Sequence, residues 1–428
     1  MALQTVHLTN AWHNSSGGVA TFYRALLAAA HAQWRIDLIV PGETSRTERI
    51  SEFATIHSVE ARRAPLSSEY RVLYPSSYLT HSSPIQQILR NVQPDVIETT
   101  DKYTLAYIAG LVRIGWIDGL RHRPALIGIS CERMDDNLAA YTHLGSASSF
   151  FAQAYMRHIY FPQFDHHIAV SKRTALELQI ASEGHKRTRG IWIRGMGVDT
   201  TTFRAIRRCP EKQVELRRST QANESTPLLL YAGRLAPEKN LPLLLDTLRE
   251  LGSGDDTRLL IAGDGPDRDA FLTAAENEFP HRVVYLGFET DRERFADLLA
   301  NVDVFLHPNP QEPFGIAPLE AMASGRPLVA PNQGGVTEYA NAGNAWLVDA
   351  TGAAFAQAVR QIFADPHARE TRVAAALETA LARSWSRIAR QFELLYSDLK
   401  ARTQSAAYSG TQEPDFWSKP IGDIDTPL

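Results

Sequence analysis

Two glutamates, Glu312 and Glu320, bracket a Pro-Phe-Gly turn and the opening of an apolar segment in QEPFGIAPLEAMASGRP (311–327). The pattern predicts a loop that runs into a helix, with Glu312 in the loop and Glu320 inside the helix. An ionised carboxylate only accepts hydrogen bonds, which suits paired hydroxyls such as those on sugar or ribose carbons. The N–H groups of Phe314, Gly315 and Ile316 would point out of the helix mouth, towards an anion or a hydroxyl-rich ligand. Taken singly, each glutamate reads equally as a cap or a solvated side chain. Taken together, about a turn and a half of helix apart, they could hold opposite ends of one nucleotide sugar.

A basic counterpart lies upstream in YAGRLAPEKNLPLLLDTL (231–248). Arg234 offers a planar fork and Lys239 a point charge, a combination suited to a diphosphate and to the charge that builds on it as it leaves. A surface arginine and a first-turn lysine would be the bland alternative, but a lysine near a helix N-terminus is electrostatically disfavoured. Two glycine turns follow the same strand-then-helix logic. In NSSGGVATFYRAL (14–26), Gly17 and Gly18 would let backbone amides approach a phosphate or glycosyl group, or would simply make a tight turn. In IAGDGPDRDAF (261–271), Gly263 and Asp264 form either a ligand loop or an ordinary helix cap ahead of Pro266.

The elements that must carry these loops alternate along the whole chain. TVHL (5–8), RIDLIV (35–40), DVIET (95–99), ALIGIS (125–130) and HHIAV (166–170) read as buried strands, with helices expected at 19–32, 84–92, 103–114 and 171–183. Ser171 is the expected N-cap of the last. The pattern restarts with PLLLYAG (227–233), RLLIAG (258–263), VVYLG (283–287), DVFLH (303–307) and PLVAP (327–331). Such alternation implies parallel sheets with right-handed crossovers, and two series imply two doubly wound α/β domains. Open sheets of this kind bind ligands at the carboxyl ends of their strands. The connection is expected within 187–213, a Gly-, Arg- and Thr-rich stretch. Helices are expected at 352–364 and 368–400, and a flexible tail from Ala401.

The bulk properties exclude several classes. The chain has 428 residues and a net charge of −4, which gives no nucleic-acid footprint. Its two cysteines, Cys131 and Cys209, have no metal-ligand spacing and cannot build a disulfide framework, which suggests a reducing compartment. The start MALQTVHLTNAWHN lacks a signal-peptide pattern, and no run approaches the roughly 20 apolar residues of a membrane span. A cytoplasmic location is expected, with peripheral contact at the inner face of a membrane left open.

At this point the motifs match a family. The sequence resembles retaining glycosyltransferases of the two-Rossmann-domain GT-B type, family 4, over roughly residues 1–400. The most specific element is the pair Glu312 and Glu320, joined in order by GGV (17–19), AGRLAPEK (232–239), AGDGP (262–266), ASGRPLVA (323–330) and GGVTEY (334–339). The resemblance implies an N-terminal acceptor domain over 1–190 and a nucleotide-sugar domain over 191–380, facing across a cleft. Residues 381–400 would form a helix that packs back on the first domain. It implies that Arg234 and Lys239 take the diphosphate, that Glu312 binds donor-sugar hydroxyls with the amides of Phe314, Gly315 and Ile316, and that Glu320 binds the ribose. Gly17 and Gly18 would approach the donor from the other domain, Gly263 and Asp264 would line the donor site, and LGF (286–288), with Phe288, would lie beside the base. No metal or other cofactor is implied. The acceptor would be a glycan, a lipid-linked sugar or a small molecule; the oligomeric state is left undetermined.

One departure stands out. Many members carry a histidine after the fourth N-terminal strand, where this chain has Ser130, Cys131 and Glu132. Glu132 either takes over a polar contact with donor or acceptor or begins a loop. ERLD-like and VVPG-like elements, here within CERMDDNL and LIVPG, resemble those of GDP-mannose-dependent α-mannosyltransferases, which points to a mannosyl donor. UDP-linked glucose, galactose or N-acetylhexosamine remains open, as does a non-catalytic nucleotide-sugar-binding protein on the same fold. A Rossmann oxidoreductase would need G-x-G-x-x-G after the first strand, which NSSGGVAT does not supply.

Overall fold

A computed structural model describes residues 2–13, 17–64, 70–141, 146–185, 190–252 and 254–409. The chain divides into two compact units, residues 1–195 with 388–428, and residues 196–387.

The first unit is built on strands β1 (Leu3–Leu8), β2 (Trp34–Gly42), β3 (Arg46–Arg49) and β4 (Ala54–Glu60), with helix α1 (Gly18–Ala29) after the first strand. A small hairpin, β5 (Arg62–Arg63) and β6 (Arg71–Val72), precedes α2 (Pro84–Val92), β7 (Val96–Thr99) and α3 (Ala106–Arg113). Then come β8 (Ala125–Ser130), α4 (Met134–Tyr141), α5 (Ser146–Tyr155), β9 (His166–Ala169), α6 (Lys172–Ser182) and β10 (Ile191–Ile193). The sheet order is β10-β9-β8-β7-β1-β2-β4-β3, with β3 antiparallel to β4 and the other neighbours parallel. The central strands β7 and β8 are buried along their length, as expected where helices cover both faces of a parallel sheet. Ser171 caps α6, its hydroxyl accepting from the Thr174 N–H at 3.2 Å.

The second unit begins with α7 (Pro210–Ser219) and alternates β11 (Leu228–Ala232), α8 (Pro242–Leu251), β12 (Arg258–Ala262), α9 (Arg268–Glu278), β13 (Val283–Gly287) and α10 (Arg292–Asn301). It continues through β14 (Val304–Leu306), α11 (Ile316–Ala323), β15 (Leu328–Pro331), β16 (Trp346–Val348), α12 (Gly352–Ala364) and α13 (Pro366–Ala382). Its parallel sheet runs β13-β12-β11-β14-β15-β16, so the strand order reverses between β11 and β14. That reversal opens the crevice where doubly wound sheets take ligands.

The last helix, α14 (Trp385–Ser409), belongs to the first unit from Ile388 onward. Phe392 packs its ring 5.0 Å from that of Phe22 on α1. Tyr396 donates its hydroxyl to Glu98 Oε2 at 2.6 Å, and Glu98 also meets Tyr23 and His7 in a fully buried cluster.

Two expectations change. The segment 368–400 is two helices, because Val198 bridges to Ser384: Val198 N–H donates to the Arg383 carbonyl and Trp385 N–H to the Val198 carbonyl, each at 3.0 Å. Those bonds take both groups away from a continuous helical ladder. Where a flexible tail was expected from Ala401, α14 is helical to Ser409; residues 410–428 lie outside the described residues. The division between residues 195 and 196 falls inside 187–213, the stretch expected to hold the connection, which also contains β10 and the start of α7; residues 186–189 lie outside the described set.

Candidate active site

In the second unit, the loops after β11, β12 and β13 are bonded to one another through their backbones. Gly233 N–H donates to the Ala262 carbonyl at 3.0 Å, Leu235 N–H to that of Asp264 at 2.9 Å, and Gly263 N–H to that of Gly287 at 2.8 Å. Gly263 has φ of 150°, and a Cβ there would lie 1.9 Å from the Gly233 carbonyl oxygen. Only glycine allows this approach. The result places Gly233-Arg234, Gly263-Asp264 and Gly287-Phe288 in one layer at the carboxyl ends of three adjacent strands. Arg234 and Phe288 are exposed. Asp264 Oδ1 turns back on the Gly265 N–H at 2.8 Å and faces Arg268 Nη1 at 3.3 Å, the arrangement of a turn-forming acceptor.

Across the point of strand reversal, the loop after β14 carries Glu312. Lys239, in the short helical turn Pro237–Lys239 after β11, donates from Nζ to Glu312 Oε2 at 2.9 Å. Asn309 Nδ2 donates to the same oxygen at 3.0 Å, and His307 Nε2 stands 3.9 Å from it. Burial alone would raise the Glu312 carboxyl, but Lys239, His307 and Asn309 outweigh it and hold the group down to about 2. Burial lowers the His307 imidazole to about 4. At neutral pH the site therefore contains a carboxylate that can only accept and a neutral imidazole.

Gly315, at φ of 89°, ends this loop in the left-handed conformation and starts α11. Its carbonyl accepts from the Tyr339 hydroxyl at 2.5 Å, and Gly335 N–H donates to the Glu312 carbonyl at 2.6 Å. Phe314 is buried with its ring 5.2 Å from that of Tyr339. The N–H groups of Phe314, Gly315 and Ile316 meet no backbone acceptor among the described residues, as expected at a helix mouth. Glu320, one turn on, is buried and bonds Arg292 Nη2 through Oε1 at 2.6 Å. Burial pushes its carboxyl above the ordinary value, with Arg292 opposing. Arg292 itself lies over the Phe203 ring at 4.6 Å.

The site residues named from sequence thus fall into two groups. Arg234, Lys239, Gly263, Asp264, Phe288, Glu312, Phe314, Gly315, Ile316 and Glu320 all lie in the second unit. Gly17, Gly18 and Glu132 lie in the first. Gly17 precedes α1, and a Cβ there would meet nothing within 4 Å, so protein packing does not demand glycine at this position. Glu132 follows β8, partly exposed, with its carbonyl accepting from Lys102 Nζ. His307, Asn309, Arg292 and Tyr339 were not singled out from sequence. His307 and Asn309 stand in plain view in DVFLHPNP, and their position after an apolar strand was the available signal. Nothing local marks Arg292 as the partner of Glu320.

Known proteins resemble this chain in sequence and in fold. The family model for glycosyl transferases group 1 matches residues 212–379. A GDP-mannose-dependent alpha-(1-6)-phosphatidylinositol dimannoside mannosyltransferase of Mycobacterium tuberculosis is 30% identical over 386 residues, covering 87% of this chain and 91% of that protein. A GDP-mannose-dependent alpha-mannosyltransferase of Mycolicibacterium smegmatis is 29% identical over 355 residues, 81% of this chain and 84% of that one. Among solved structures, sucrose-phosphate synthase from Thermosynechococcus elongatus superposes with a TM-score of 0.72 at 19% identity, over 93% of this chain and 100% of its own. The catalytic domain of starch synthase IV from Arabidopsis thaliana, bound to ADP and acarbose, gives 0.69 at 16% identity, over 94% and 100%. At these identities the structural matches establish the fold. The sequence relationships go further: the chain belongs to the glycosyl transferases group 1 family and is a hexosyl-transferring enzyme with the GT-B fold.

Proposed function

We propose that the enzyme moves a mannosyl residue from GDP-mannose to a hydroxyl of a glycan or glycolipid acceptor, with retention of configuration and without a metal ion. The observation that carries this reading is the Lys239–Glu312 pair at the strand-reversal point of the second sheet. The names of the two mycobacterial relatives support the choice of donor.

Arg234 and Lys239 hold the diphosphate, the guanidinium as a fork and the ammonium as a point charge. Glu312, held ionised, accepts hydrogen bonds from hydroxyls of the donor sugar and cannot act as a proton donor at neutral pH. Glu320, fixed by Arg292 through one oxygen, presents the other to the ribose. Gly263, Asp264 and Phe288 line the nucleotide end, and Gly17, Gly18 and Glu132 serve the donor sugar and acceptor from the first unit. The acceptor oxygen bonds to the anomeric carbon on the face from which the phosphate leaves. The carbon–oxygen bond to the phosphate breaks, and the leaving phosphate oxygen takes the acceptor's proton. The protein contributes positioning and stabilisation of the departing negative charge. A lipid-linked acceptor would bring the enzyme to a membrane surface, since no helix among the described residues is long and apolar enough to cross one.

The test is transfer from GDP-mannose and from UDP-glucose to mannosyl acceptors, with excess EDTA in parallel and the product anomer read by NMR. Transfer from GDP-mannose, retained configuration and indifference to EDTA are expected. Glu312→Ala and Lys239→Ala are expected to abolish transfer while leaving the folded chain intact. Preference for UDP-glucose, an inverted product or wild-type turnover by either variant would overturn the corresponding part.

A further inference from the structure

A lysine and a glutamate in the first unit are buried with no part in the chemistry above. Lys102, in the loop after β7, has a fully buried side chain, and Glu177 on α6 is only 4% exposed. Lys102 Nζ donates to Glu177 Oε2 at 2.6 Å and to the Glu132 carbonyl at 2.5 Å, and lies 6.0 Å from the centre of the Tyr160 ring. The other oxygen, Glu177 Oε1, accepts from the Met134 N–H at 2.6 Å. Ser130 Oγ adds a second donor to the Glu132 carbonyl at 3.1 Å.

The pair therefore grips the chain on both sides of Arg133, directly after Glu132: the ammonium holds the carbonyl of 132 and the carboxylate the amide of 134. Taking two charges out of water is costly, and an apolar pair of the same volume would fill this space with no such cost. What apolar side chains cannot do is bond a carbonyl and an N–H and so define one conformation of the turn. The location fits this role. The strand order of the first sheet reverses between β1 and β7, and the loops after these strands are joined by Asn10 Nδ2 donating to Asp101 Oδ2 at 3.0 Å. Lys102 extends that joined rim to the turn after β8.

We propose that Lys102 and Glu177 are positioning residues that hold the turn of Glu132 so that its carboxylate meets the reacting sugar or the acceptor. The proposal rests on the substrate contact assigned to Glu132 under the proposed function. In the full-length chain, the neutral double variant Lys102→Met/Glu177→Gln removes both charges together, so no buried ion is left alone. It is expected to fold and to lose kcat roughly 10- to 100-fold, the effect of a small misplacement. The KM for GDP-mannose should stay within about twofold, as expected for loss of an interaction made in the transition state. Glu132→Gln should cost much less in the double variant than in the wild type, because groups acting through one another are not additive. Ser130→Ala, which loosens the same carbonyl without touching a charge, should lower kcat in the same direction and serves if the double variant does not fold. Amide exchange of Met134, independent of any substrate, should accelerate in the double variant. Wild-type kcat in the folded double variant, additive effects with Glu132→Gln, or unchanged Met134 exchange would each overturn the proposal. A wild type that transfers nothing from GDP-mannose would count against the donor reading instead, and Met134 exchange would still decide whether the pair holds the turn.

Discussion

Lys239→Met is the most direct perturbation of the second unit's charge arrangement. The Lys239 and Glu312 side chains are 21% and 14% exposed, so solvent screens their contact only in part. Glu312 is held at about 2 against an ordinary 4.5, a gap worth roughly 3 kcal/mol of preference for the ionised form. Lys239 is the largest of the groups that lower it, ahead of His307 and Asn309. Its removal should therefore lower the stability of the second unit by about 2 kcal/mol at pH 7.5. The pH dependence has a definite sign. A carboxylate with a depressed pKa stabilises the fold above its unfolded value of 4.5, and that stabilisation disappears as pH falls through about 2. The gap between wild type and variant must then narrow below pH 4.5. His307 moves it in the same direction. Its imidazole is lowered from 6.5 to about 4 by burial, with Lys239 contributing, so acid destabilises the wild type from pH 6.5 downward and the variant less. Urea unfolding at pH 7.5, 5.5 and 4 measures this, taking the second unit's transition separately because a two-unit chain need not unfold in one step. Equal stability at pH 7.5, or a gap that widens on acidification, would refute the electrostatic account of the site.

Two further outcomes follow from packing and hydrogen bonding. Gly263→Ala sets a methyl against the Gly233 carbonyl at 1.9 Å and should cost about 1–3 kcal/mol while weakening GDP binding through displacement of the Arg234 loop. Unchanged melting together with unchanged calorimetric affinity would show that the loops do not depend on that approach. Tyr396→Phe removes a donor from the buried Glu98 carboxylate and should destabilise the first unit by about 1–3 kcal/mol. A denaturation midpoint equal to the wild type's would mean that this hydrogen bond adds nothing to the hold on α14, leaving ring packing and the Lys400–Asp95 ion pair.

Much of the molecule can be read from contiguous residues. Apolar runs ending in glycine mark β11, β12 and β13, and the capping pattern at Ser171 marks the start of α6. Gly315 and Glu320 announce a loop-to-helix transition because backbone conformation at a helix start depends on a few adjacent side chains. The break between α13 and α14 could not be read in this way. It arises from Val198, far away in the chain, whose peptide competes for the groups around Ser384.

The sequence by itself determined the alternation of strands and helices and which polar residues end up in strand-end loops, since both follow from local spacing. Tertiary structure alone decided the electrical state of those residues. Glu312 is held ionised by a lysine 73 positions earlier, Glu320 is bonded to an arginine 28 positions earlier, and Lys102 finds its carboxylate 75 positions later. The strength of a charge depends on distance and on how much water surrounds it, and both are set only when remote segments close over the site.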